Sequence, residues 1–186
     1  MTSKAAFIGR FLGVFALLIV VGWLTGAPKL YARALYGGMA IGGPLANGWS
    51  VEERAKTSGR QEIWLRRGGD QLRLALGLDA LALGLLPLLS LIAATPRISA
   101  RRLATCAALG IAGLYALDLL VLLLYPWLVG AELNPVAEIT GTFLGLLTFV
   151  GGPVILWFLL TFRELGTVWQ LGPKPPQTGR RPVPPP

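Results

Sequence analysis

The chain has 186 residues, of which 54% are hydrophobic and 14% charged, against roughly 25% charged in an average soluble domain; with a mean hydropathy of +0.62 the composition is that of a membrane protein. It has no histidine and one cysteine, which excludes catalytic schemes built on a histidine base, the usual zinc sites and an intrachain disulfide. The net charge of +8 could signal nucleic-acid binding, but long apolar runs separate the basic residues, so it reads as loop and lipid-headgroup charge, with the bilayer as partner and no nucleic acid.

A membrane-crossing helix needs about 20 mostly apolar residues. The first candidate is Phe7–Thr25. With Lys4 and Arg10 as a basic end it resembles a signal peptide. Its apolar stretch is long for that role and no clean A-x-A site follows, so it reads as a retained span.

A long loop, Gly26–Leu74, comes next. In Pro28–Leu45, the residues Leu30, Ala34, Leu35 and Ile41 form an apolar stripe with Lys29 and Arg33 off it, which suits a helix lying in the membrane interface. Gly37-Gly38 and Gly42-Gly43 weaken a helix by about 1 kcal/mol each relative to Ala, so an irregular or re-entrant connector is the open alternative. Further on, Glu62–Arg66 and Gln71–Leu74 flank Gly68-Gly69, which predicts a β-hairpin. Trp49–Ala55 can add a third strand, with Ser58-Gly59 at the turn. A lone hairpin is marginal, so this part is either a small cap over the bundle or a docking surface for another membrane protein. Trp49, Trp64, Arg66, Arg67 and Arg73 are its candidate contact residues.

Three more apolar stretches follow: Ala75–Ala94, Leu103–Val129 and Ile139–Phe162. The loop after the second span holds Arg97, Arg101 and Arg102 and no acid, and the loop after the third holds Glu132 and Glu138 and no base. The positive-inside rule therefore places both termini in the cytoplasm. The first loop resists this rule. It carries eight basic residues, among them Lys29, Arg33 and Arg66, against Glu52, Glu53, Glu62 and Asp70, yet long segments translocate with weaker charge control. The expected fold is an all-α membrane protein: a four-helix transmembrane bundle with a small extracytoplasmic α/β-hairpin insert between the first and second spans. Its parts are residues 1–25 (first span), 26–74 (extracytoplasmic loop), 75–164 (three further spans) and 165–186 (cytoplasmic tail). The tail segment Gly172–Pro186 is Pro-rich and is expected to be disordered or polyproline-like.

Two acids fall inside the predicted spans, Asp79 and Asp118, and an ionisable residue there is a functional hypothesis. Asp118 lies about 24 Å above Arg102 at 1.5 Å per residue, some 6 Å below the outer edge of a core of about 30 Å. Asp79 reaches a similar depth from the other direction. The two could share a proton, could pair separately with Arg66, Arg67 or Arg73, or could serve transport; Tyr115, one turn before Asp118, could share its face. Cys106 has Arg102 one turn away but no base, so packing is its simpler role. None of the four lysines lies in a span, which disfavours a Ser-Lys dyad. Gly141 with Gly145, Gly77 with Gly84, and Gly110 with Gly113 allow close helix packing, and Gly151-Gly152-Pro153 predicts a kink. No catalytic residue, metal or cofactor is expected.

The order of features, with the stretch Leu83–Pro96 (LGLLPLLSLIAATP), resembles the exosortase H-associated membrane proteins of bacteria. Exosortases themselves use a Cys with an Arg and a His. A chain without histidine and with few spans is not similar to that protease. The resemblance implies a non-catalytic helper in the inner membrane, binding an exosortase during protein sorting. The competing expectation from the residues is a small transporter or channel component using Asp79 and Asp118.

Overall fold

The computed structural model describes residues 4–55, 61–74, 78–96, 98–129, 139 and 143–169. The Ser58-Gly59 turn, Gly77, Gly141, Glu132, Glu138 and the Pro-rich tail lie outside the described residues.

Helix α1 is Lys4–Thr25 and α2 is Ala27–Asn47. Between them Gly26 takes φ +66°, and after α2 Gly48 takes φ +73°. Both are left-handed positions that end a helix and that a side chain would strain. The segment Pro28–Leu45 is thus a continuous helix, not an irregular connector. Tyr31, Ala32, Leu35 and Met39 are buried against the bundle, whereas Leu30, Ala34 and Ile41 of the apolar stripe are exposed. The glycines that weaken the helix in isolation are where its neighbours press. Leu119 and Leu123 lie against Gly38 and Gly42, and the Trp49 carbonyl against Gly43. Tertiary contact outweighs propensity here.

Strands β1 (Ser50–Ala55), β2 (Gln61–Arg67) and β3 (Asp70–Arg73) form one antiparallel sheet in that order. The register sets Val51, Leu65 and Leu72 in one row. Because successive side chains alternate faces, that row points inward, where Leu65 and Leu72 are buried. The rows Ser50–Arg66–Gln71 and Glu52–Trp64–Arg73 belong to the other face.

Among the described residues, three helical stretches are long and apolar enough to cross a membrane: Ala6–Thr25, Ala100–Trp127 and Phe143–Leu165. The expected second span is not one long helix. It is split into α3 (Leu78–Leu83) and α4 (Leu85–Ala94), with Gly84 N–H donating to the Leu81 carbonyl at 3.0 Å. Pro87 supplies the cause, since it has no N–H for the carbonyl four residues back and its ring clashes there. Helix α5 runs from Ala100 to Val129. Where a kink is expected in the last span, a π-helical segment, Leu147–Gly151, leads into α6 (Gly152–Trp169). Pro153, just after it, again deprives the preceding turn of a donor.

Helix α5 packs against α2, α4 and α6; α1 packs on α4, and α2 on α3 and β1. Leu35, Leu81, Leu88, Leu114, Leu122 and Tyr125 are fully buried between them. Gly110 admits Ile92 and Leu88, and Gly113 admits Leu156, as small residues in membrane helices allow. Buried hydroxyls are satisfied within their own helices: Ser90 donates to the Leu86 carbonyl at 2.6 Å and Thr161 to that of Trp157 at 2.7 Å. The outer sides of α1, α5 and α6, including Leu12, Leu17, Leu120, Leu124, Ile155 and Leu159, are apolar and exposed, which suits a lipid surround.

Candidate functional site

Among the described residues, Asp118 is a fully buried carboxylic acid in the bundle, at 0% exposure. Its position on α5, between the stripe holding Leu114 and that holding Tyr115 and Leu119, turns it inward towards α2. The Tyr31 hydroxyl, on the first turns of α2, donates to Asp118 Oδ2 at 2.8 Å. The Tyr31 and Tyr115 rings meet edge to face, with centroids 6.2 Å apart, a favoured aromatic geometry. Tyr115 Oη in turn donates to the Ala34 carbonyl at 3.2 Å. Gly38 makes room for it, because a Cβ there would lie 2.5 Å from that hydroxyl. Among the described residues, Asp118 Oδ1 has no hydrogen-bond partner.

Tyr31 is therefore the partner of Asp118 in place of a loop arginine. Arg66 instead pairs with Glu52 at 3.5 Å on the sheet surface, and Arg67 is exposed. Asp79 belongs to α3 by its backbone, and its side chain lies outside the described part of the structure. Tyr115 does share the face of Asp118, as its spacing predicts. Sequence reasoning missed Tyr31. Its only signal was the i, i+4, i+8 series Tyr31, Leu35 and Met39.

A second polar group ties the opposite end of the bundle. Trp157 Nε1 donates to Thr95 Oγ1 at 3.0 Å, and the Trp157 ring stacks on Phe7. Arg102 pairs with Glu164 at 3.3 Å and donates to the Leu160 carbonyl at the same distance. The buried Cys106 thiol also points at that carbonyl, at 3.6 Å. These contacts gather the start of α1, the turn after α4, the start of α5 and the end of α6 at one end.

The expected contact residues of the insert separate. Trp49, at 7% exposure, belongs to the hydrophobic core, with its carbonyl against Gly43; it seats the sheet instead of forming part of its open face. Trp64 is half-buried, while Arg66 and Arg67 are exposed. Arg73 stands opposite Trp64 in the register, and its side chain is outside the described part. No protein-family model, curated protein or solved structure matches the chain.

Proposed function

We propose that this chain is a non-catalytic accessory subunit of the bacterial inner membrane, which crosses the bilayer four times and holds an extracytoplasmic sheet for another integral membrane protein to bind. The observation that carries this reading is the seating of the sheet. Its apolar row and Trp49 are buried on the bundle, while Arg66, Gln71 and the half-buried Trp64 are on its other face. A three-stranded sheet on such a support is rigid enough to present a fixed surface, and Trp and Arg are the side chains that most often dominate interfaces. The Tyr31–Asp118 bond supports the same reading, because it uses an intramembrane acid to fasten the helix on which the sheet sits.

The fourth crossing is assigned to α3 and α4 together. Their break at Gly84 lies against Thr148 and Phe149 of the π-helical region, and irregular backbone is tolerated at membrane depth where protein covers it. The loop charges support a cytoplasmic position for both termini. The resemblance in layout makes an exosortase the partner to test first. Extraction of the tagged full chain in several mild detergents should recover a membrane protein in stoichiometric amount. Recovery of the chain alone in all of them would refute the proposal.

A transporter or channel component using Asp79 and Asp118 is the second reading, favoured by one observation: the buried Oδ1 of Asp118 without a described partner. Replacing both acids by Asn should then abolish flux in reconstituted vesicles, and an absence of flux with the native chain removes this reading.

A further inference from the structure

The outward side of α2 carries two cations that the fold does not neutralise. Tyr31, Ala32, Leu35 and Met39 make the buried side. At 100° per residue, Lys29, Arg33, Gly37 and Ala40 lie on the opposite one. Lys29, Arg33 and Ala40 are exposed, and a Cβ at Gly37 would meet nothing within 4 Å. Lys29 and Arg33 are one turn apart, with Cβ atoms about 6 Å from each other. Helix α2 contains no acidic residue. Among the described residues, neither cation has an ion-pair or hydrogen-bond partner.

The depth of these cations follows from the contacts of α2 with α5. Tyr115 Oη donates to the Ala34 carbonyl, and Gly38 and Gly42 lie against Leu119 and Leu123. The two helices therefore run in the same direction. Lys29 and Arg33 come before these contacts and stand at or below the level of Asp118, at least about 6 Å inside the outer edge of the hydrocarbon core. Helix side chains lean towards the helix N-terminus, which for α2 is the inward end. Both cations thus lean away from the outer surface, towards which a long side chain would otherwise snorkel.

An ammonium and a guanidinium at such depth are costly without counter-charge. Lipid phosphates stay at the membrane boundary and do not supply it. A second copy of the chain does not supply it either. Among the described side chains of α1, α5 and α6, the acids are Asp118, which is enclosed, and Glu164, which pairs with Arg102 at the other end of the bundle. A transmembrane helix of a different protein, with a carboxylate at this depth, meets both needs. Gly37 and Ala40 let such a helix approach closely, and the guanidinium fork can hold both carboxylate oxygens while the ammonium acts as a point charge.

We infer that the outward face of α2 binds an acid-bearing transmembrane helix of the partner, with Lys29 and Arg33 paired to its carboxylate inside the bilayer. The inference rests on the reading of the chain as a subunit for another membrane protein, and it adds an intramembrane contact to the one on the sheet. It also gives a use to part of the positive charge that the inside rule disfavours in the first loop.

The test uses the labelled full chain in phosphatidylcholine vesicles with a synthetic helix of about 20 Leu and Ala residues that carries one Asp at its centre, and energy transfer as the readout. The native chain should associate with the Asp peptide roughly tenfold more tightly than with the same peptide carrying Asn. K29Q/R33Q should lose this preference, and R66Q, which alters a cation on the sheet, should keep it. K29E/R33E should prefer a peptide with a central Lys, which keeps the test open should K29Q/R33Q fail to fold. Equal association of the Asp and Asn peptides with the native chain, native preference in K29Q/R33Q, an equal loss in R66Q, or no reversal in K29E/R33E would each overturn the inference. Self-association of the native chain that K29Q/R33Q abolishes would assign the face to a second copy, and abolition of the Asp pairing by added phosphatidylglycerol would assign it to lipid; either result overturns it too. A full chain that recovers no membrane protein from mild detergent removes the subunit reading, whereas recovery of one alongside peptides that do not discriminate removes this inference alone.

Discussion

Tyr31 and Asp118 are 87 positions apart in the chain, and their side-chain oxygens are 2.8 Å apart in the fold. The bond joins a helix of the long first loop to the interior of α5. It takes an acid that would be costly in a bilayer and uses it to fix α2, against which β1 packs. The sheet is thereby tied to the bundle through a polar contact as well as an apolar one.

Tyr31→Phe removes the donor and leaves the carboxyl buried without it. A loss of roughly 1–2 kcal/mol is expected, read as a lower unfolding midpoint in detergent. Adding Asp118→Leu to Tyr31→Phe should recover part of that loss, because the stranded polar group is then gone. A double variant as unstable as the sum of the two single ones would show that the two residues are uncoupled.

Gly43 and Gly37 of α2 should respond in opposite ways. A Cβ at Gly43 would lie 2.6 Å from the Trp49 carbonyl, whereas one at Gly37 meets nothing within 4 Å. Gly43→Ala should loosen the sheet from α2, seen as faster amide exchange in β1. Gly37→Ala should be neutral or raise stability by up to about 1 kcal/mol.

At the other end of the bundle, burial ranks the polar contacts. The Trp157–Thr95 bond is buried, so Thr95→Val should cost roughly 1–2 kcal/mol. The Arg102–Glu164 pair is 43% exposed on the arginine side, where solvent screening keeps an ion pair below about 1 kcal/mol. Glu164→Gln should accordingly shift the thermal midpoint less than Thr95→Val, and the reverse order would place the ion pair in a drier setting than its exposure indicates.

On the proposed reading, the two faces of the sheet separate stability from binding. Leu65→Ala, on the buried row, should destabilise by roughly 2–5 kcal/mol and raise protease sensitivity near residues 50–73. Trp64→Ala should leave the thermal midpoint near native while reducing co-purification of the membrane partner. Retained partner with Trp64→Ala would move the docking surface off the sheet.

Much of the backbone layout was legible because its signals are local. Continuous apolar runs marked α1, α5 and the last helix, and Gly68-Gly69 between alternating runs marked the hairpin. Pro87 is a local signal too, and the second span breaks three residues before it at Gly84. The side of α2 that packs on the bundle is not legible for a different reason. Both of its arcs are apolar, so periodicity cannot say which one meets the bundle.

The amino-acid sequence by itself determined the membrane class, the absence of histidine chemistry and the place of the strands, because these follow from composition, run length and turn residues. Only the tertiary structure decided that Asp118 meets Tyr31, that Trp49 is core and that the weak glycines of α2 are contact points. Each of these depends on which faces of separate helices approach one another. That is a matter of packing between distant segments, and no single segment encodes it.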